Sequence, residues 1–201
     1  MPLQIILLIF GSYLLSKIWK SFGPLFYFVA FFGVMVHEFW HIIGCLLTGA
    51  KIQRIKISTR EGFVRHKKSK IPILGAFIIS TIPFPGAILT IYILSVLLGI
   101  SPTSIAVDSF DFTLFTNYQF LIFLYLSIGI IICMIPSKKD FKNAMWGTAL
   151  LFLFIILFHL FDIGLNFPGS LLNIVSFSFS VSVLTLLVSS PFYLLKRIIF
   201  N

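Results

Sequence analysis

The sequence predicts an all-α polytopic membrane protein of about six transmembrane helices, with a short membrane-surface β-hairpin over residues 51–68. Three observations predict it. Of 201 residues, 59% are hydrophobic and 10% charged, whereas a soluble domain carries about 25% charged residues. Apolar runs of about 20 residues, each long enough to cross the hydrocarbon, recur along the chain. Between the second and third runs lies a basic segment that alternates apolar and polar residues. A soluble fold is thereby excluded, because too little polar surface exists to face water. No repeat or low-complexity tract is visible, so residues 1–201 read as a single integral membrane domain.

The expected spans are 2–19, 24–49, 71–99, 117–136, 145–163 and 171–195. The first follows Met1-Pro2-Leu3-Gln4, which lacks the charged start of a signal peptide, so it is expected to be retained. The second contains histidines and a glutamate and ends at Gly49. After it, Ile52-Gln53-Arg54-Ile55-Lys56-Ile57 alternates as a strand does. Arg60-Glu61-Gly62 supplies a turn and Phe63-Val64-Arg65-His66 returns as a second strand. The third span is interrupted at Ile82-Pro83-Phe84-Pro85-Gly86, since proline lacks an N–H and bends the axis. The fourth ends in Ile135-Pro136-Ser137-Lys138-Lys139-Asp140. The fifth and sixth are apolar runs whose many Phe are read as lipid-facing bulk. Cys45 and Cys133 lie within apolar runs and suggest small buried residues, with no disulfide framework.

Charge sets the expected orientation. Residues 51–70 hold eight of the fifteen Lys and Arg, 138–142 hold three, and Lys196-Arg197 add two. The basic residues cluster between apolar spans as in cytoplasmic loops, so the net charge of +9 points to the lipid bilayer and away from nucleic acid. With six spans, the positive-inside rule puts the hairpin and both termini in the cytoplasm; Lys17 and Lys20 fall on the other side.

One constellation carries chemistry: His37-Glu38-Phe39-Trp40-His41. Residues four apart on a helix share a face, so both imidazoles can reach one Zn²⁺. Glu38 can stand beside the open coordination position, take a proton from metal-bound water and return it to a leaving amine. With four His and two Glu, chance gives H-E-x-x-H in roughly one such chain in a thousand. Three ionisable groups in one span are costly and point to function; the alternative is a hydrogen-bonded polar cluster locking two helices. A catalytic zinc needs a third protein ligand. Glu61, the other Glu, sits at the tip of a basic hairpin and is a poor candidate. Asp140, His159, Asp162 and His66 remain. Asp140 is favoured because it ends the fourth span on the hairpin side, although it can equally cap a helix or pair with neighbouring lysines. Asp162 and His159 lie toward the other face, and His66 stands among basic residues.

The stretch from His37 through Gly44, Gly49 and Lys51, followed by Gly62-Phe63-Val64-Arg65-His66 and Pro136-Ser137-Lys138-Lys139-Asp140, resembles the core of site-2-protease-type enzymes, peptidase family M50, in its compact prokaryotic form. The resemblance covers about residues 24–145. It implies an integral, multi-pass protein of a prokaryotic cell membrane, a metalloendopeptidase with one Zn²⁺ per chain held by His37, His41 and Asp140. Glu38 would be the catalytic base, and the substrate a membrane-protein or membrane-associated peptide. The family commonly places Asn-x-x-Pro before Asp-Gly; here Phe141 follows Asp140 and no Asn precedes Pro136. Two rival readings stay open: a catalytically silent relative that binds clients or metal, and a small ion transporter using the His/Glu cluster. The absence of a repeat speaks against the transporter.

Depth sets a geometric demand. At 1.5 Å per residue, His41 lies about 12 Å and His37 about 18 Å from Gly49, while Asp140 lies just past a span. Either a break near Gly44 or an inward dip after Pro136 is expected to bring them together. The edge of strand 52–57 is the expected place for an extended substrate, and the hairpin's basic side chains are expected to anchor on anionic headgroups.

Overall fold

The structure, a computed structural model, describes residues 2–58, 62–105, 111–160 and 168–200, with the backbone alone at 2, 151, 152, 154–160 and 200. In chain order the elements are α1 (Pro2–Lys20), α2 (Pro24–Thr48), β1 (Ile52–Ile57), β2 (Gly62–His66), α3 (Pro72–Thr81), α4 (Pro83–Leu97), α5 (Tyr118–Cys133), α6 (Lys138–Leu160) and α7 (Gly169–Phe200). Short 3₁₀ turns at Pro102–Ile105 and Phe112–Thr116 join α4 to α5. Four stretches are long and apolar enough to cross a bilayer: Leu3–Lys20, Pro24–Thr48, Pro72–Leu97 and Gly169–Ile199. A fifth arises when α5 and the first part of α6 are taken together across a 67° bend. The helical architecture with one small sheet is therefore present; the described residues give four or five candidate spans, and the expected span 145–163 runs into residues outside them. The bend falls at residues 134–137, where Pro136 supplies no N–H to continue α5.

α2 is the central element and packs against α3, α4, α5 and the hairpin. It crosses α5 at Gly33 and Gly129, where the two backbones touch: a Cβ at Gly33 would strike the Gly129 carbonyl, and one at Gly129 the Val29 carbonyl. Small residues permit this approach in a medium where apolar burial gives no force between helices. Gly49, at φ 65°, ends α2 in the left-handed conformation that glycine adopts without strain. The break expected in the third span is present, with Ile82 separating α3 from α4.

α1 and α7 lie side by side in the same direction. Gln4 bonds Ser176, Trp19 Nε1–H donates to Ser189 Oγ at 3.1 Å, and Lys196 Nζ stands 5.3 Å from the Phe22 ring. The seam is a stripe of small residues, in which a Cβ at Gly11 would meet Ser182 Oγ at 2.9 Å. Parallel first and last helices put the chain's ends at opposite ends of the pair. Lys17 and Lys20 fall at the same end of the pair as Lys196 and Arg197.

The hairpin occupies the expected residues, pairing Ile55 with Val64 and Ile57 with Gly62, with an irregularity between Ile52 and Arg54. Its placement differs from a flat surface hairpin. β2 runs down along α2 until Gly62 meets Val34 and Glu38, about 16 Å along the helix from Gly49. Arg60 and Glu61 lie outside the described residues.

Candidate metal centre

His37 and His41 are one turn apart on α2, and their Nε2 atoms approach to 3.1 Å. The carboxylate of Asp140 closes the triangle, with Oδ2 3.8 Å from His37 Nε2 and Oδ1 3.6 Å from His41 Nε2. Those carboxylate distances are too long for hydrogen bonds. They suit ligands sharing one ion, since donors 2.0–2.1 Å from a tetrahedral zinc stand about 3.3 Å apart. His37, His41 and Asp140 thus form a group able to hold a metal ion, and two imidazoles with a carboxylate are a donor set used for zinc and for non-haem iron(II).

Each donor is aimed by a local cause. Ser137 precedes α6, and its carbonyl accepts the first helical bond, from Phe141 N–H at 2.9 Å. Its Oγ accepts from Asp140 N–H at 3.2 Å, while Asp140 Oδ2 accepts from the Ser137 N–H at 3.0 Å and Oγ–H at 2.6 Å. This is a capping box. The capping and ligand readings of Asp140 therefore coexist: Oδ2 holds the helix start, and Oδ1 points at His41.

His41 is fixed from behind. Its Nδ1–H donates to the Ile79 carbonyl at 2.7 Å, and because a carbonyl only accepts, the lone pair of a neutral ring lies on Nε2, toward the other donors. That carbonyl is available because its regular helical partner would be the N–H of residue 83, and residue 83 is proline. Pro83→Ala restores a competing donor. Zinc affinity, measured by competition with a chromophoric chelator, is expected to fall roughly tenfold or more with helix content retained. Unchanged affinity would show that the carbonyl accepts from both.

Glu38 is 6% exposed, and its Oε2 has no hydrogen-bond partner among the described residues. It faces a cavity of about 160 Å³ whose walls include Gly62, Phe63 and Val64 of β2, Ile79 of α3, and Lys139 and Asn143 of α6. A second cavity, of about 380 Å³ between α1, α2 and α5, reaches His37 and Glu38 from the side of Lys20 and Cys133. A buried and a half-buried carboxylate beside two imidazoles are costly without a cation, which a divalent ion would offset.

The break expected near Gly44 is absent. α2 is continuous there, and Gly44 instead lets α3 come close, a Cβ on it lying 2.9 Å from Ile79 Cα. The bend after α5 is what delivers Asp140. His66 lines the cavity and donates from Nδ1 to the Lys67 carbonyl at 2.9 Å, outside the donor group. His159 belongs to α6 about 28 Å beyond Asp140 along the axis, too far to join the same ion, and Asp162 lies outside the described residues. Of the hairpin, the cavity is lined by Gly62, Phe63, Val64 and His66 of β2 and by no residue of β1 among the described residues. Missed in the sequence were Ile79 with Pro83, Ser137 as the cap that aims Asp140, and Gly62 as the contact for Glu38.

Fold and site together define a helical protein suited to a bilayer, with a two-His, one-Asp cluster that can hold a metal ion. Comparison with protein-family models, curated proteins and solved structures finds no match to the chain.

Proposed function

We propose that the chain is a zinc-dependent intramembrane endopeptidase acting on membrane-associated polypeptides. The observation that carries the reading is the convergence of His37, His41 and Asp140 beside Glu38, whose Oε2 has no hydrogen-bond partner among the described residues, in a cavity within the helical layer. A zinc ion held there supplies a Lewis acid and a nucleophile at neutral pH. Glu38 Oε2 receives the proton of the attacking water and passes it to the departing amine. Asp140 and His41 keep their orientation through Ser137 and the Ile79 carbonyl. The backbone of β2 positions the substrate. Lys67 N–H bonds the Lys51 carbonyl, so alternation turns residues 63 and 65 toward β1 and leaves the backbone groups of Gly62, Val64 and His66 on the cavity side for an extended peptide.

Parallel α1 and α7 require an odd number of crossings, so we assign five, counting α5 and α6 as one broken span. The hairpin side, with eight Lys and Arg in residues 51–70, then faces the cytoplasm, as does the N-terminus. Placement in a prokaryotic cell membrane rests on the family resemblance.

Metal analysis of detergent-purified protein tests the centre. About one zinc per chain is expected, lost in His37→Ala, His41→Ala and Asp140→Ala and retained in His159→Ala. Protein purified without chelators that holds no zinc and takes none up would overturn the reading.

A further inference from the structure

Beside the metal cavity lies another, of about 380 Å³, between the exit of the hairpin and the crossing of α3 and α6. Its lining has two parts. Lys67, Lys68 and Ser69, just after β2, are the polar part, and Ile73 and Ala76 of α3 with Trp146 of α6 are an apolar part. Lys67 and Lys68 are exposed, and no acidic residue lines this cavity among the described residues. In the apolar part, Ile73 is 53% and Trp146 69% exposed. The crossing that forms its floor is tight, Phe77 lying against Gly147. A basic part and an apolar part in one cavity match one amphiphile, a lipid with an anionic headgroup and an acyl chain. An acidic peptide would satisfy the lysines but leave the wall of Ile73 and Trp146 without a complement.

We propose that this cavity binds an anionic phospholipid, its phosphate at Lys67 and Lys68 and an acyl chain along Ile73 and Trp146. His66 and Asn143 stand in the walls of both this cavity and the metal cavity, so a bound lipid closes the α3–α6 side of the metal centre. The binding itself does not depend on the centre being catalytic.

Tryptophan quenching of the full-length protein in mixed micelles is the test, because the three indoles differ in setting. Trp19 and Trp40 donate to Ser189 and Thr90 inside helix pairs, whereas Trp146 is open. Brominated phosphatidylglycerol is expected to quench at a mole fraction roughly tenfold lower than brominated phosphatidylcholine, from two favourable charge contacts. Trp146→Phe removes the selective part. The double variant Lys67→Gln/Lys68→Gln abolishes the preference, while Lys196→Gln/Arg197→Gln keeps it. Equal quenching by the two lipids would overturn the proposal, as would a preference that survives the loss of Lys67 and Lys68. Selective quenching that a soluble oligoglutamate displaces at matched ionic strength would also overturn it, assigning the cavity to acidic peptide.

Discussion

Glu38→Gln is expected to lower peptide-bond cleavage by about 10³-fold or more while leaving bound zinc in place. The substitution keeps the shape that packs against Gly62 and Val34, so α2 and the hairpin keep their contact. What it removes is an anionic oxygen, Oε2, that has no hydrogen-bond partner among the described residues. Loss of a positioned general base costs about 10²–10⁴-fold, and here the same carboxylate would also return the proton to the leaving amine, which puts the expectation in the upper part of that range. The measurement is hydrolysis of a membrane-anchored reporter in proteoliposomes, with zinc determined on the same preparation. Residual activity within tenfold of wild type, at full zinc content, would remove Glu38 from the mechanism. A wild-type protein that holds zinc and cleaves nothing, while still retaining membrane clients, would favour the silent relative.

The parts of this site written in local spacing were legible in the sequence, and the parts made by tertiary contact were not. The four-residue interval from His37 to His41 fixes a shared helix face whatever surrounds it. Asp140 was reachable by counting the few remaining ligands and asking which stood on the hairpin side. Ser137 and Asp140 also satisfy the capping-box spacing, so the device that aims the ligand was readable there, and considering capping only as a rival to ligation hid it. Pro83 is a different case. That it frees the Ile79 carbonyl follows from helix geometry; that His41 lies opposite depends on how α3 packs on α2 over Gly44.

What hydropathy leaves open about the global arrangement has one physical origin. Hydropathy reports whether a segment suits lipid, but neither direction nor partner follows from it. Six apolar runs therefore suggested six crossings and coincident termini. The small residues of α1 and α7, Gly11 and Ser182 among them, carried the signal for a close helix pair, without revealing that the pair is parallel. The hairpin was read as a surface feature because it is basic. Its side chains are basic, but Gly62 has none, and that allows β2 to descend beside α2 as far as Glu38.

The largest structural effect is expected at Gly33. A β-carbon added there would fall on the carbonyl of Gly129 and within 3.0 Å of Cys133 Sγ. The first obstacle is backbone, so no rotamer change relieves it, and α2 and α5 must separate along their crossing. Overpacking of this kind costs about 1–3 kcal/mol, which for a chain of this length lowers Tm by roughly 2–12 °C. Gly33→Ala is expected to show that drop in detergent, and Gly33→Leu to prevent recovery of monodisperse protein. Gly169→Ala, with nothing within 4 Å of the added carbon, is expected to be neutral. The two crossing helices also carry the two halves of the metal centre, since His37 and His41 lie on α2 and α5 leads through the bend at 134–137 to Asp140. Gly33→Ala should therefore weaken zinc binding along with stability, although residue 33 touches none of the donors. A variant that melts with the wild type would show that the helices do not meet at Gly33 and Gly129. One that melts early but binds zinc as the wild type does would show that the bend, rather than the crossing, sets the position of Asp140.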